Sequence, residues 1–398
     1  MTRRRRLGSL GIFLVLVAGV SVYLTGARAS RPGTKAAVGR PAAAPSAPTP
    51  STTACTNSSV LAKWPTGRLA LLTVVVPAEE TNVSAAKAEV RSGVGGLILF
   101  GSEAPPDLAA RLRDLEKAVP GHRGLLVMTD EEGGGVQRMA NLVGSLPWPR
   151  TMAASWSPAQ IEAHVEKVGR RMRAAGVLMD LAPVLDVDGR DVPPGPSDPD
   201  GWRSFSGRTA VVARDGLAYM KGLMAAGVLP VVKHFPGLGG ASGNTDVGPA
   251  HTLPWARLKK VALPTFEAAI ANKAPAVMVS NATVPGLAAD PASLSRAAIS
   301  GELVRKLGFK GLIITDSLSA KAISAAGFDV PSASVAALRA GADMVLYNLG
   351  STTAATLRTA DMIEQAVVVA VRTHKLERSR LVAAARAVLA VRHVSLCG

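Results

Sequence analysis

The sequence predicts an α/β fold, a closed (β/α)8 barrel of the TIM type, and three observations carry that prediction. Eight short apolar runs recur along the chain, and amphipathic segments of helical period separate them. No Gly-x-Gly-x-x-Gly follows the first run, which argues against a doubly wound open sheet. Near-continuous apolar strands alternating with helices form a parallel sheet covered on both faces. Eight such units close into a barrel, and the 398 residues, 48% of them hydrophobic, suffice for its core.

Before the barrel the chain reads as an export signal and a spacer. Residues 3–6 are four arginines, and Leu7 to Gly26 is apolar and uncharged. Ala27-Arg28-Ala29 then offers a small-x-small cleavage site. Residues 1–29 are therefore expected to be a signal peptide, or an uncleaved signal anchor. Residues 30–54, rich in Pro, Ala, Ser and Thr, read as a disordered linker. The folded domain is expected over 55–398. The protein is expected outside the cell or at its envelope, with membrane contact only if the leader stays uncleaved. Its two cysteines, Cys55 and Cys397, stand at the two ends of that domain. In an oxidising compartment they are expected to pair, because domain termini often lie close together.

The strand candidates, in order, are 69–77, 94–100, 125–130, 177–187, 229–235, 274–281, 311–316 and 342–348. Helical segments lie at 107–119, 158–176, 208–227, 257–272, 297–307 and 331–340, the last in an irregular interval. Two further helices, near 354–374 and 376–393, close the chain. The formal charge is +16, of which Arg3, Arg4, Arg5, Arg6 and Arg28 account for five. The rest of the chain shows no basic run and no nucleic-acid motif, and aromatics are only 4%. Nucleic acid is therefore not an expected partner. The surplus charge suits solubility or an anionic surface.

Polar groups come directly off the apolar runs. Strand 125–130 ends in Thr129-Asp130-Glu131-Glu132 with Gln137-Arg138 after it, and strand 177–187 ends in Asp186 with Arg203-Ser204-Phe205 beyond a loop. The others end in Lys233-His234, Ser280-Asn281, Thr315-Asp316-Ser317 and Tyr347-Asn348. In such a barrel the carboxyl ends of the strands hold the active site. Lysine and histidine have no packing reason to end a buried strand, since both are costly to bury unpaired. Carboxylates with Arg, Lys and His suit a ligand with many hydroxyls. Asp316, ending a strongly apolar strand, is the best nucleophile candidate; its bland alternative is a cap on the next helix. The histidines are scattered and the cysteines have no nearby partner, so no metal site is expected. No Gly-Lys-Ser/Thr follows Gly133-Gly134-Gly135, so this is no phosphate loop.

Five motifs in order then carry a resemblance. They are Asp130-Glu131-Glu132-Gly133-Gly134 with Gln137-Arg138, Leu181-Ala182-Pro183-Val184-Leu185-Asp186-Val187, Arg203-Ser204-Phe205, Lys233-His234-Phe235-Pro236-Gly237, and Gly311-Leu312-Ile313-Ile314-Thr315-Asp316. Over about residues 60–393 the chain resembles the N-terminal catalytic domain of family 3 glycoside hydrolases, and most closely the single-domain bacterial β-N-acetylglucosaminidases. The resemblance implies that Asp316 is the nucleophile of a retaining glycosidase. It implies that Asp130, Arg138, Arg203, Lys233 and His234 grip the terminal sugar. No cofactor is implied, and a monomer acting on a carbohydrate is expected.

One loop departs from the family. Where those relatives carry His-Gly and then Asp-Ser-His, this chain reads Gly237-Leu238-Gly239-Gly240-Ala241-Ser242-Gly243-Asn244-Thr245-Asp246. Counted without gaps, the family's first His becomes Leu238, its Asp becomes Asn244 and its catalytic His becomes Asp246. Three readings stay open: Asp246 as the acid/base, His251 folding back into that role, or loss of normal acid catalysis. Gly239, Gly240 and Gly243 suggest a mobile loop. The expected function is removal of terminal β-linked N-acetylglucosamine from cell-wall fragments or chitin oligomers. The alternatives are a weak or inactive wall-associated sugar binder, and a β-glucosidase of the same family.

Overall fold

Eight parallel strands close into a barrel in chain order. The computed structural model describes residues 55–122, 124–348 and 353–397. The signal and linker expected over 1–54 lie outside the described residues. The strands are β1 (Val74–Glu79), β2 (Gly96–Phe100), β3 (Leu126–Thr129), β4 (Met179–Asp180), β5 (Leu229–Phe235), β6 (Ala276–Val279), β7 (Leu312–Ser317) and β8 (Met344–Leu346). Each pairs with its neighbours in sequence, and β1 closes the barrel on β8 with Val74 opposite Val345. Their apolar side chains join one continuous core with the surrounding helices. Both faces are thus covered, which is why the strands carry no polar alternation.

All eight predicted strands are present, with local differences that have physical causes. The first candidate, 69–77, begins as a helix, Thr66–Leu72, and the strand starts at Val74. Leu-Ala-Leu-Leu is helix-forming, and the β-branched run begins only at Val74. The helix buries Leu69 to Leu72 and packs against the closing helices Thr353–Arg372 and Arg378–Val391. The fourth candidate, 177–187, is regular only at Met179–Asp180, because Pro183 lacks a ladder donor. It still pairs irregularly with β5: the N–H of Lys233 donates to the Pro183 carbonyl at 3.1 Å and that of Leu185 to the Lys233 carbonyl at 2.6 Å.

The helix expected over 257–272 is two, Trp255–Val261 and Leu263–Ala271, with Pro264 in the first turn of the second. Residues 297–306 wind as a π-helix. The irregular interval after β7 holds Lys321–Ala325 and Val330–Ala340. Asp329 caps the latter in a reciprocal box with Ser332. Cys55 and Cys397 form a disulfide. Beside it Asn57 ties the same ends, donating to the Val394 carbonyl and accepting from the Leu396 N–H, both at 2.7 Å.

Candidate active site

A cavity of about 540 Å³ opens at the carboxyl ends of the strands. All seven predicted site residues line it: Asp130, Arg138, Arg203, Lys233, His234, Asp246 and Asp316. A short hairpin, Glu131–Gly133 paired with Val136–Gln137, follows β3 and sets three of its walls: Asp130, Glu132 and Arg138. Its turn lies against the indole of Trp148. A side chain at Gly134 would place its Cβ 2.0 Å from that ring, and the backbone there has φ +58°. Glycine is required on both counts.

The cations are held by carboxylates. Lys233, 2% exposed, lies 2.7 Å from Asp130 and 2.6 Å from Glu132. Glu132, 1% exposed, accepts from the Arg203 guanidinium at 2.7 and 2.8 Å, one bond to each oxygen. Burial alone would raise the Glu132 carboxyl; Arg203 and Lys233 override it and hold it well below the usual range. Burial likewise opposes the charge on Lys233, but Asp130 and Glu132 keep it raised. The set is a fixed array of opposite charges that presents its outer atoms to the cavity. Arg138 completes it, its guanidinium 5.5 Å over the Phe100 ring.

His234 is oriented by Asp186. Its Nδ1 lies 2.6 Å from Asp186, whose carboxylate also accepts the backbone N–H groups of His234 and, at 2.6 Å, Leu238. Nδ1–H donation to Asp186 leaves Nε2 as the ring nitrogen able to accept. Asp186, Asp200 and His234 bring one potential ligand atom each within 4.8 Å of one another. Two ligands on one zinc ion would stand about 3.3 Å apart at ordinary bond lengths. The 2.6 Å His234–Asp186 contact is a hydrogen bond instead. Asp200 is fully buried with both oxygens lacking a protein partner, and burial, with Asp186 beside it, pushes its carboxyl well up. Both effects favour the neutral form of Asp200 beside Asp186.

Asp316 stands near the end of β7 and accepts the Ser317 N–H at 2.7 Å. The next helix, Lys321–Ala325, has Ala320 at its cap, so Asp316 is not a helix cap. Asn281 braces this strand end, donating to the Ser317 carbonyl at 2.7 Å and accepting from Ser293 at 2.6 Å. Ser280, Asn281, Thr315 and Tyr347 thus end their strands with structural bonds: Thr315 accepts from Leu346 and Tyr347 donates to Thr356.

Asp246 is open to solvent on one side and faces the cavity on the other. Burial against the wall, then the charge of Asp316, push its carboxyl up; Arg203 and His234 oppose that. The loop carrying it is tied at several points. Gly240 donates to Asp188 at 3.3 Å, Asn244 to the Pro196 carbonyl at 2.9 Å, and Ala322 to the Thr245 carbonyl at 2.9 Å. Gly239 has a steric reason: a Cβ there would lie 2.2 Å from the Val187 carbonyl. Leu238 is buried in a small apolar cluster with Ala241 and Ala282. His251, the other candidate, is exposed, lies off the cavity and contacts the Thr252 carbonyl at 3.1 Å.

Two residues had no role in the sequence reading, Glu132 and Asp186. Both stand in the motifs. The signal is that buried cations need partners, and these were the carboxylates at hand.

Comparison with known proteins finds relatives of this sequence and of this fold. The family model for the glycosyl hydrolase family 3 N-terminal domain matches residues 67–391. Beta-hexosaminidase LpqI of Mycobacterium tuberculosis is 37% identical over 69% of this chain and 70% of its own length. Its solved structure superposes with a TM-score of 0.74, covering 85% of this chain and 97% of that one at 32% identity. An uncharacterized secreted glycosyl hydrolase of Arthroderma benhamiae is 34% identical over 64% of this chain and 73% of its own. The crystal structure of a beta-N-acetylhexosaminidase from Beutenbergia cavernae gives a TM-score of 0.74 at 28% identity, covering 84% of this chain and all (100%) of that one.

Proposed function

The chain belongs to glycosyl hydrolase family 3, and from that premise we propose that it is an exported retaining β-N-acetylhexosaminidase in which Asp316 and Asp246 share the chemistry. It removes terminal β-linked N-acetylglucosamine, and relatives named beta-hexosaminidase and beta-N-acetylhexosaminidase support that reading. The observation that carries the reading is the convergence of the gripping array and two facing carboxyls on one cavity. Asp130, Arg138, Arg203, Lys233 and His234 hold the sugar hydroxyls.

Asp316 attacks the anomeric carbon while Asp246, as the neutral acid, gives its proton to the departing oxygen. The C–O bond to the leaving group breaks and a glycosyl–Asp316 ester forms. Ester formation removes the Asp316 charge that holds Asp246 up. Asp246 is then a carboxylate, fit to take a proton from the water that cleaves the ester. Its raised acidity range thus suits the first step, and the loss of its neighbour's charge suits the second.

Export rests on the basic and apolar leader. No helix among the described residues is long and apolar enough to cross a membrane. The expected substrates are wall fragments or chitin oligomers.

The deciding experiment is release of a fluorescent phenol from its N-acetyl-β-glucosaminide, with Asp316→Asn as control. Release by the parent and none by the variant supports the reading. No release by folded parent protein overturns it for this sugar, and binding without turnover would point to the sugar-binding alternative. The same assay with the β-glucoside tests the third reading.

A further inference from the structure

We propose that Arg190 is a positioning residue for Asp246, acting through a strut between two loops rather than by touching substrate. The inference rests on the reading of Asp246 as the acid/base. Arg190 sits between two buried carboxylates, 2.9 Å from Asp188 Oδ2 and 2.7 Å from Asp198 Oδ2. Its own backbone N–H also donates to Asp188, at 2.7 Å. The carboxylates in turn organise the backbone on both sides. Asp198 accepts the N–H groups of Asp200 and Gly201, each at 3.1 Å, and so shapes the turn before Arg203. Asp188 accepts the N–H of Gly240 in the Asp246 loop.

Two more contacts make residues 187–201 the wall on which that loop leans. The N–H of Asn244 donates to Pro196, and Gly239 lies flat against the Val187 carbonyl. Asn244 then accepts the N–H of Asp246 itself at 2.9 Å. The path from Arg190 to Asp246 is therefore short: hydrogen bonds join Arg190 to Asp188 and Asp188 to Gly240, the loop runs on from Gly240 to Asn244, and Asn244 holds Asp246. Arg150 fixes the same wall from behind, but through the carbonyls of Asp188 and Gly201 rather than the carboxylates. Without the Arg190 cation, Asp188 and Asp198 face each other as buried like charges. The wall must open or take up a proton, and the acid loop moves with it. Most of the sugar grip is built on other elements: Asp130, Lys233 and His234 belong to β3 and β5 or follow directly from them, and Arg203, which follows the wall, is held from the hairpin after β3 by both oxygens of Glu132.

The kinetic signature follows from that separation. Proton delivery suffers, while attack by Asp316 on a sugar with a good leaving group does not. The test compares the dinitrophenyl N-acetyl-β-glucosaminide with chitobiose, for the full chain and its Arg190→Ala, Arg190→Lys and Asp246→Asn variants. The expected result for Arg190→Ala is near-parental kcat/KM on the dinitrophenyl substrate, since that ratio reports attack by Asp316 and not the later cleavage of the ester. On chitobiose, kcat/KM is expected to fall about 100-fold, the scale of a catalytic group displaced by about 1 Å. Arg190→Lys is expected to recover part of that loss.

Equal losses on both substrates, or no loss on either, would overturn the proposal. Asp246→Asn reads the premise independently. If it shows no dependence on leaving group, the acid/base reading fails and the strut proposal with it. If it shows that dependence and Arg190→Ala does not, the strut proposal alone fails. Should Arg190→Ala not fold, Arg190→Lys and Arg190→Gln carry the same comparison.

Discussion

Glu132 holds Arg203 through both carboxylate oxygens, at 2.7 and 2.8 Å, and touches Lys233 at 2.6 Å with one of the same atoms. One buried anion thereby fixes two cations that come from different parts of the barrel. The Glu132→Gln variant removes the charge and keeps the shape. Lys233 then keeps Asp130 as its carboxylate partner, while Arg203 keeps only its bond to the Pro199 carbonyl. The expected loss of folding stability is about 3 kcal/mol, the scale for breaking a buried pair on one side. A sugar-binding KM raised severalfold should accompany it. Urea unfolding of the variant reads the first effect, and an unchanged midpoint would mean the array is not held by Glu132.

Asp246 is expected to set the alkaline limb of the pH profile. Its carboxyl is raised by burial and by Asp316, so the protonated form persists to higher pH than for a free aspartate. Turnover of substrates that need a protonated leaving group should fall as pH rises through that raised value. In Asp246→Asn the limb should disappear on a dinitrophenyl substrate, where ester cleavage becomes limiting. Azide should then speed turnover and yield the β-glycosyl azide, since a small nucleophile needs no base. An alkaline limb that survives the substitution would assign it to another group.

The barrel was legible because its signal is dense and local. A run such as Leu312-Ile313-Ile314 has no reading other than a buried strand or helix, and its flanks decide which. Positions at strand ends were legible for the same reason, so Lys233, His234 and Asp316 could be expected at one rim. The partners were not, because they arise from closure of the barrel. Glu132 and Arg203 stand 71 residues apart, and His234 and Asp186 stand 48 apart. Nor do residue types separate a gripping residue from a brace: Asn281 ends its strand just as Asp316 does, yet it holds the backbone of Ser317. The glycines of the Asp246 loop suggested freedom, whereas Gly239 answers to a close approach that appears only once the two loops meet.

Glu80 gives a pH dependence of stability with a definite sign. Burial pushes its carboxyl from 4.5 to about 7, against the backbone N–H of Glu103 and the charge of Arg138, which lower it. The folded chain thus keeps a proton that the unfolded chain releases. Between about pH 4.5 and 7 the folded state binds more protons, so stability falls as pH rises through that window. Glu80→Gln should flatten this part of the curve, raising stability at pH 8 relative to the parent more than at pH 4. Unfolding midpoints at the two values measure it. Glu131, pushed up to about 7 mainly by burial, contributes in the same direction, so the parent curve should not become wholly flat.

The disulfide closes nearly the whole folded region, with a sequence separation of 342 between Cys55 and Cys397. In the chain-entropy account, the cost of closing an unfolded loop grows only slowly with its length. The folded ends are also tied independently: Asn57 binds both Val394 and Leu396, and Arg378 reaches Thr66 at 2.6 Å. Those contacts persist without the covalent bond, so its removal acts mainly on the unfolded chain. Cys55→Ser with Cys397→Ser should therefore cost about 6 kcal/mol of stability at most, and leave the sugar cavity at the opposite reach of the strands intact. Thermal unfolding of the double variant, beside its turnover of the fluorescent substrate at low temperature, separates the two claims. A large loss of turnover in protein that remains folded would show that the chain ends also govern the site.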